Sequence, residues 1–263
     1  MRNIKFISIF ILLCGFTFAL VQCTKDENAN EQHAQITLKS TNVIKALTDA
    51  GIYTASDVDL TPRENLYSSC KPSGTYCTSY FIRDTIAVPN FCDYVQVKYY
   101  LWVCPDGISF SDFEAIPLGG CDSLTNSWLY LSNGELDHQL ELFNYNASLI
   151  VEKELMSLLV TQYQIKCSGG QFISSFYRNI CYRWCVQFIT DPRGVVFTST
   201  VKNYCGDKCC KRTTKYCLED NGQVQISDTV FSEVGNGVCG SIPYGDPCRG
   251  YQIGSCQKTC GLP

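Results

Sequence analysis

Cysteine is the residue type in this sequence with the greatest capacity for chemistry, because thiols bind metals, exchange electrons and form disulfides. The chain has 263 residues and 18 cysteines. Cys14 and Cys23 lie inside and at the end of an N-terminal apolar run, and the other sixteen follow it. An even set beyond an export signal is typical of a disulfide framework, so we predict about eight disulfides of open connectivity. The sixteen are Cys70, Cys77, Cys92, Cys104, Cys121, Cys167, Cys181, Cys185, Cys205, Cys209, Cys210, Cys217, Cys239, Cys248, Cys256 and Cys260.

The densest cysteine cluster, Cys205-x3-Cys209-Cys210-x6-Cys217, could in principle hold a metal ion. Its spacing is that of neither a zinc finger nor a zinc ribbon, and no histidine lies near it. Thiols in an oxidising compartment pair with one another, so we expect disulfides and neither a metal nor a cofactor. Neighbouring residues of a strand face opposite sides, so Cys209 and Cys210 should have different partners. No Cys-x-x-Cys motif supports a thiol oxidoreductase.

Acid–base chemistry has two candidate sites. His138 lies in a helical-looking segment with Glu135, Asp137 and Glu141, which we interpret as a solvated helix face. The hydrolase motifs Gly-x-Ser-x-Gly and His-Glu-x-x-His do not occur, so no local motif supports a serine hydrolase or a zinc protease.

Three carboxylates, Asp106, Asp112 and Glu114, surround Phe110 and Phe113. Glycoside hydrolysis needs only two facing carboxylates and no local motif, so a surface glycan-degrading enzyme stays open as an alternative.

The N-terminus carries an export signal. Arg2 and Lys5 precede an apolar stretch that runs to Val21 and is short for a membrane-spanning helix. Two cleavage sites are alternatives. Conventional signal-peptide cleavage would follow Thr17-Phe18-Ala19, whereas cleavage at the lipobox Leu20-Val21-Gln22-Cys23 would make Cys23 the first residue of the mature chain. The lipobox is favoured because lipidation of Cys23 leaves an even set of sixteen cysteines.

The segment Cys23-Thr24-Lys25-Asp26-Glu27 resembles the start of surface-exported lipoproteins of the Bacteroidota. The resemblance is confined to this leader. It implies a signal peptide at 1–22, a lipid on Cys23 and a place on the outer-membrane surface. The polar composition after Cys23 predicts that residues 23–35 form a disordered, lipid-anchored tether. The same source implies possible O-glycosylation at Asp-Ser/Thr-apolar tripeptides, here at Thr85, Ser123 and Thr229.

The elements that must position these residues are mostly strands. Residues 93–104 alternate between a core face that begins at Asp93 and a face that carries Tyr94, Tyr100 and Trp102. The pair Asn221-Gly222 between two alternating runs predicts a hairpin. Helical spacing appears only over 124–164, with a break expected near Asn133-Gly134 and a second helix expected over 147–163. Residues 36–50 suit either a strand or a short helix.

The sequence therefore predicts an α+β fold that is antiparallel, β-rich and disulfide-reinforced, with a helical insertion around 135–165. We expect an N-terminal β region over 36–166 and a cysteine-rich β region over 167–263, although 36–263 suits one domain as well. One pairing that the spacing allows is Cys70 with Cys77, around the turn Pro72-Ser73-Gly74.

Charge gives no indication of nucleic acid as a partner, because 21 basic residues are balanced by 25 acidic ones, and we expect none. A local basic patch is either a site for acidic glycans or, as we prefer, protection of an edge strand. It consists of Lys208, Lys211, Arg212 and Lys215.

The favoured function is a non-enzymatic cell-surface lipoprotein that acts as a binding or adhesion module for a glycan or a surface protein, anchored to the membrane by its lipid. Tyr94, Tyr100 and Trp102 form the expected binding face. The alternatives are the carboxylate hydrolase and a structural surface protein without a specific ligand. In the structural case, bridged loops should cover the aromatic faces.

Overall fold

A computed structural model describes residues 40–53, 58–59, 70–72, 76–119, 121, 127–190, 192, 194, 196–240, 248 and 250–263. All of them belong to one compact unit, Ile36–Pro263. The predicted signal peptide, the predicted lipidation site Cys23, the predicted tether and the predicted O-glycosylation site Ser123 lie outside the described residues.

The described elements are two helices and ten strands. The helices are α1 (Ser40–Asp49) and α2 (Asn133–Gln162). The strands are β1 (Val58–Asp59), β2 (Thr78–Val88), β3 (Cys92–Cys104), β4 (Gly107–Gly119), β5 (Phe172–Asn179), β6 (Tyr182–Thr190), β7 (Val196–Tyr204), β8 (Cys209–Leu218), β9 (Val224–Val234) and β10 (Tyr251–Ile253). The predicted class, an α+β fold that is rich in strands, is confirmed.

The strands form a large sheet and a small one. The seven-stranded sheet has the order β1-β2-β3-β4-β5-β8-β9, and the three-stranded sheet has the order β10-β6-β7. All neighbours are antiparallel except β4 and β5, which run parallel because the chain crosses over through α2 between them. The N-terminal and C-terminal regions that we expected to divide at residue 167 therefore contribute strands to one and the same sheet.

Helix α2 is one continuous element, so the prediction of two helices was wrong. Asn133 and Gly134 mark its beginning rather than a break. Ser132 caps it by accepting from the Glu135 amide, and the Glu135 carboxylate accepts from the Ser132 amide in return, which satisfies two terminal donors. No proline or glycine follows before Gln162, so nothing interrupts the helical hydrogen bonds.

The core lies between α2 and one face of the large sheet. The predicted core face of β3 is confirmed, because its five apolar residues are at most 2% exposed. They are Val95, Val97, Tyr99, Leu101 and Val103. Asp93 was assigned to the same face but is exposed, since it lies beside the turn that precedes β3. Helix α1 closes one end of the core, where Tyr53 and Tyr99 share a buried hydrogen bond between their hydroxyls.

The hairpin predicted at Asn221-Gly222 is confirmed. Strands β8 and β9 pair from Cys209 opposite Val234 to Leu218 opposite Val224. Gly222 adopts a φ of 83°, a conformation that most L-residues avoid, and the side chain of Asn221 accepts from the Gln223 amide across the turn.

Eight disulfides pair all sixteen cysteines beyond the leader. They are Cys70–Cys209, Cys77–Cys104, Cys92–Cys121, Cys167–Cys217, Cys181–Cys239, Cys185–Cys248, Cys205–Cys256 and Cys210–Cys260. Cys209 and Cys210 have different partners, as their adjacency in a strand predicts. Cys70 and Cys77 do not pair with each other, because each lies beside a different strand end.

Along the described ranges, no helix is both long enough and apolar enough to cross a membrane.

Candidate functional site

An aromatic strip lies on the face of the large sheet that points away from α2. We define it as Phe81 of β2 with Tyr100 and Trp102 of β3, all partly exposed. Phe81 lies directly opposite Tyr100 in the register of the two strands. The Phe81 and Tyr100 ring centroids are 5.2 Å apart, and those of Tyr100 and Trp102 are 6.4 Å apart. The guanidinium of Arg83 lies 5.4 Å from the Phe81 ring centroid.

Strand geometry fixes the position of this strip. Trp102 and Tyr100 are two residues apart on one strand, so both rings project from the same face. The indole nitrogen of Trp102 donates a hydrogen bond of 2.9 Å to Ser111 Oγ on β4, which orients the ring. The Cys77–Cys104 disulfide joins β3 to the segment before β2, two residues from Trp102. The strip is therefore held by a disulfide from the segment before β2 and by a hydrogen bond from β4.

Tyr94 does not belong to the aromatic strip. It is 61% exposed, but it lies six residues before Tyr100, which is about 20 Å along a strand. The predicted binding face therefore divides into a pair, Tyr100 and Trp102, and a distant tyrosine. Phe81 and Arg83 were missed because sequence alone does not say which strand lies beside β3.

A narrow cleft with room for no more than about one water molecule lies where the parallel pairing of β4 and β5 ends. The last parallel pair is Phe110 with Phe176. Beyond it, Asp112 of β4, Arg178 of β5, Asn144 of α2 and Lys202 of β7 line the cleft. The carboxyl ends of parallel strands are a common place for ligand sites.

Burial shifts the acid–base properties of two cleft residues in opposite directions. Asp112 sits at a bulge with a φ of 50°, and burial raises the pKa of its carboxyl to about 6 against the pull of Lys202 and Ser111. Burial lowers the pKa of Lys202 to about 8, although Glu141 raises it. The Lys202 ammonium donates to the carbonyl of Phe113 at 2.9 Å and thereby ties β7 to β4. Titratable groups with shifted pKa values in a cleft are typical of functional sites.

Glu141 is buried at the centre of a network of hydrogen bonds and ion pairs, so the prediction that it lies on a solvated helix face was wrong. It is 8% exposed, and its Oε1 accepts from the Tyr182 hydroxyl at 2.6 Å and from the Trp184 indole at 2.9 Å. Its Oε2 lies 3.3 Å from an Arg178 nitrogen, and the Lys258 ammonium is 4.0 Å from Oε1. These contacts join α2, β5, β6 and the C-terminal segment.

The other acid–base candidates lie apart from one another. His138 is exposed, and its neighbour Asp137 pairs with Lys258. Asp106 is exposed in the turn after β3, and Glu114 lies opposite Lys98 on the outer face. Asp112 is the one acid among the described residues that line the cleft. The facing carboxylate pair that a glycosidase uses is thus absent from the cleft lining as described.

The basic patch is not edge protection, because β8 lies between β5 and β9. Arg212 is buried and pairs with Glu152, while Lys208 lies 2.8 Å from Glu233. The remaining two lysines, Lys211 and Lys215, approach the Tyr177 ring and Asp228 respectively. Each of the four basic side chains therefore lies close to a carboxylate or to an aromatic ring.

Two of the three predicted O-glycosylation residues can be placed. Thr85 on β2 and Thr229 on β9 are exposed, which is the condition that modification requires. Within the described parts of the chain, no group of three or more His, Cys, Asp or Glu residues is arranged to hold a metal ion.

Comparison with known proteins gives no match to a family model, to a curated protein or to a solved structure.

Proposed function

We propose that this chain is an exported, lipid-anchored surface protein that binds glycan chains through its aromatic strip. The observation that carries the proposal is the row of three partly exposed rings across β2 and β3. No enzymatic step is part of the proposal.

The chemistry of the strip suits sugars. Pyranose rings present apolar C–H faces, which stack on aromatic rings, and their hydroxyls need hydrogen-bond partners at the rim. Arg83 and Lys98 flank the strip and supply such donors. The indole N–H of Trp102 already bonds to Ser111, so Trp102 contributes its ring face rather than its donor.

The rigidity of the strip supports a role in ligand binding in addition to a role in packing the sheet. Side chains on a disulfide-linked strand lose little conformational entropy when a ligand binds, which favours affinity. The eight disulfides also support export, because such bonds persist in oxidising compartments. The lipid on Cys23 would then hold the domain at the outer-membrane surface.

A glycan array probed with the oxidised mature chain tests this proposal. We expect retention on at least one polysaccharide class, and a loss of affinity of at least about tenfold in Trp102→Ala, the range in which a binding hot spot falls. The matched control is Tyr94→Ala, which removes an exposed tyrosine from the same strand about 20 Å away. Tyr94→Ala should bind as the unaltered chain does.

Two outcomes would contradict the proposal. One is equal retention by the unaltered chain and by folded Trp102→Ala, checked by circular dichroism and by the absence of free thiols. The other is no retention on any glycan. Release of reducing sugars by the unaltered chain would instead favour the hydrolase alternative, with Asp112 as the first residue to replace.

A further inference from the structure

The narrow cleft at the end of the β4–β5 pairing is lined by three polar side chains that lack full sets of partners. They are Asp112 of β4, Asn144 of α2 and Lys202 of β7. The space admits no more than about one water molecule, so it has no room for a ligand. These side chains therefore have one another as partners for chemistry.

Lys202 is a buried cation without a carboxylate at ion-pair distance among the described residues. It is 9% exposed, and its ammonium contacts the Phe113 carbonyl at 2.9 Å. The ring centroids of Tyr182 and Trp184 lie 5.1 and 5.6 Å from its nitrogen. Buried lysines are almost always paired with an anion. Burial lowers the pKa of Lys202 to about 8, so the neutral, nucleophilic amine is accessible near neutral pH.

Asn144 and Asp112 offer the two groups with which such an amine reacts. Asn144 is 4% exposed, and its Oδ1 has no hydrogen-bond partner among the described residues. A buried oxygen of this kind costs free energy until a donor reaches it. The described hydrogen bond of the Asp112 carboxyl is a long one, 3.5 Å from Ser111 Oγ. Burial raises the pKa of Asp112 to about 6, which makes the protonated, donating form accessible as well.

We propose that Lys202 and Asn144 form an intramolecular isopeptide bond in this cleft, with Asp112 as the acid–base group. Rotation of the flexible lysine stem moves Nζ from the Phe113 carbonyl into the cleft. The neutral amine then attacks Asn144 Cγ, while the Asp112 carboxyl donates to Oδ1, where negative charge develops.

The reaction is balanced without a co-reactant. The Nζ–Cγ bond forms and the Cγ–Nδ2 bond breaks. Asp112 takes a proton from Nζ and delivers one to Nδ2, so its carboxyl is restored at the end. One secondary amide and one ammonia molecule result, and nothing is oxidised or reduced.

The bond would remove an unpaired buried charge and add a cross-link where the disulfides supply none. Helix α2 contains no cysteine, so none of the eight disulfides ties it to a strand. An amide between Asn144 and Lys202 joins this helix to β7 of the small sheet. The proposal does not depend on glycan binding by the aromatic strip.

Intact mass spectrometry of the mature chain, folded under oxidising conditions and then fully reduced, tests the proposal. We expect a chain lighter by one ammonia than its sequence requires. Trypsin should release a branched peptide that joins Lys202 to Asn144, because an acylated lysine is not cleaved. The branch is decisive, since a succinimide at Asn221-Gly222 also loses ammonia but gives no branch.

Variants assign the three roles. Lys202→Arg and Asn144→Ala lack the amine or the amide, so both should have the masses that their sequences require. Asp112→Ala keeps both reacting groups and should form the bond at least about a hundredfold more slowly after synthesis. The matched control is Asn146→Ala, which removes a partly exposed amide from the same helix and should keep the ammonia loss.

Three results would overturn the proposal. One is a reduced, unaltered chain with the full mass of its sequence, a measurement that needs no variant to fold. Another is a loss of ammonia without a branched peptide. The third is a branch from Lys202 to Asp112 with loss of water. These masses do not change if glycan binding fails, so the two proposals are tested separately.

Discussion

Replacement of Glu141 by alanine should be among the most destabilising single changes in this protein. Two buried neutral donors, the Tyr182 hydroxyl and the Trp184 indole, would lose their acceptor. Arg178 would lose its carboxylate, and the 4.0 Å attraction to Lys258 would disappear.

The magnitude follows from these contacts. Each neutral donor left unsatisfied costs about 1–3 kcal/mol. Removal of one partner from a buried ion pair costs about 3–5 kcal/mol, and these effects overlap because the groups share one carboxylate. We therefore expect Glu141→Ala to lower the free energy of unfolding by about 3–5 kcal/mol. Domains of this kind have a total stability of about 5–15 kcal/mol.

Urea unfolding of the oxidised chain measures this change as a lower midpoint at unchanged slope. Glu141→Gln keeps the shape and one acceptor but turns an amide towards Arg178, so its effect should be smaller. The matched control is Glu154→Ala, which removes an exposed carboxylate from the same helix and should change stability by less than about 0.5 kcal/mol. A loss below about 1 kcal/mol in Glu141→Ala would refute the network's importance.

Three further perturbations address other parts of the structure. Burial raises the pKa of Asp112 from 3.8 to about 6, so the folded state binds this proton more tightly than the unfolded state does. The free energy of unfolding should therefore fall as pH rises from about 4 to 6, by up to about 3 kcal/mol. Asp112→Asn should remove that part of the pH profile, and an unaltered profile would count against the assigned burial. Replacing Cys77 and Cys104 together by alanine opens a loop with a sequence separation of 27 and should lower the free energy of unfolding by about 3.5 kcal/mol. Glycan affinity should fall as well, because the aromatic strip becomes less rigid. An unchanged free energy of unfolding would contradict this role of the disulfide. Ser132→Ala removes the cap of α2 and should cost about 1 kcal/mol in urea unfolding, whereas no change would show that the cap is dispensable.

Local patterns in the sequence predicted local structure well. Alternation along 93–104 gave both faces of β3, and the Asn221-Gly222 pair gave the β8–β9 hairpin. The helix break was wrong because the propensity of Asn and Gly to end helices equally suits a helix start. The parallel pairing of β4 with β5 depends on a crossover of more than fifty residues, for which no local pattern exists.

The candidate sites depend on such long-range contacts. Trp102 and Tyr100 were found because they share one strand, but Phe81 joins them only through the pairing of β2 with β3. Glu141 resembles any acid on a polar helix face until β6 brings two buried donors to it. Cysteine pairing followed the same rule, because the partners of Cys70 and Cys77 are set by strand order rather than by spacing.

The binding proposal depends on export, because sixteen thiols pair stably only outside a reducing compartment. Intact mass spectrometry of the chain from membranes of a Bacteroidota host, alkylated without prior reduction, tests this most directly. We predict a chain that begins at Cys23, carries lipid and takes up no alkylating reagent. A lipid-free chain that begins after Ala19, or one with several alkylated cysteines, would contradict it.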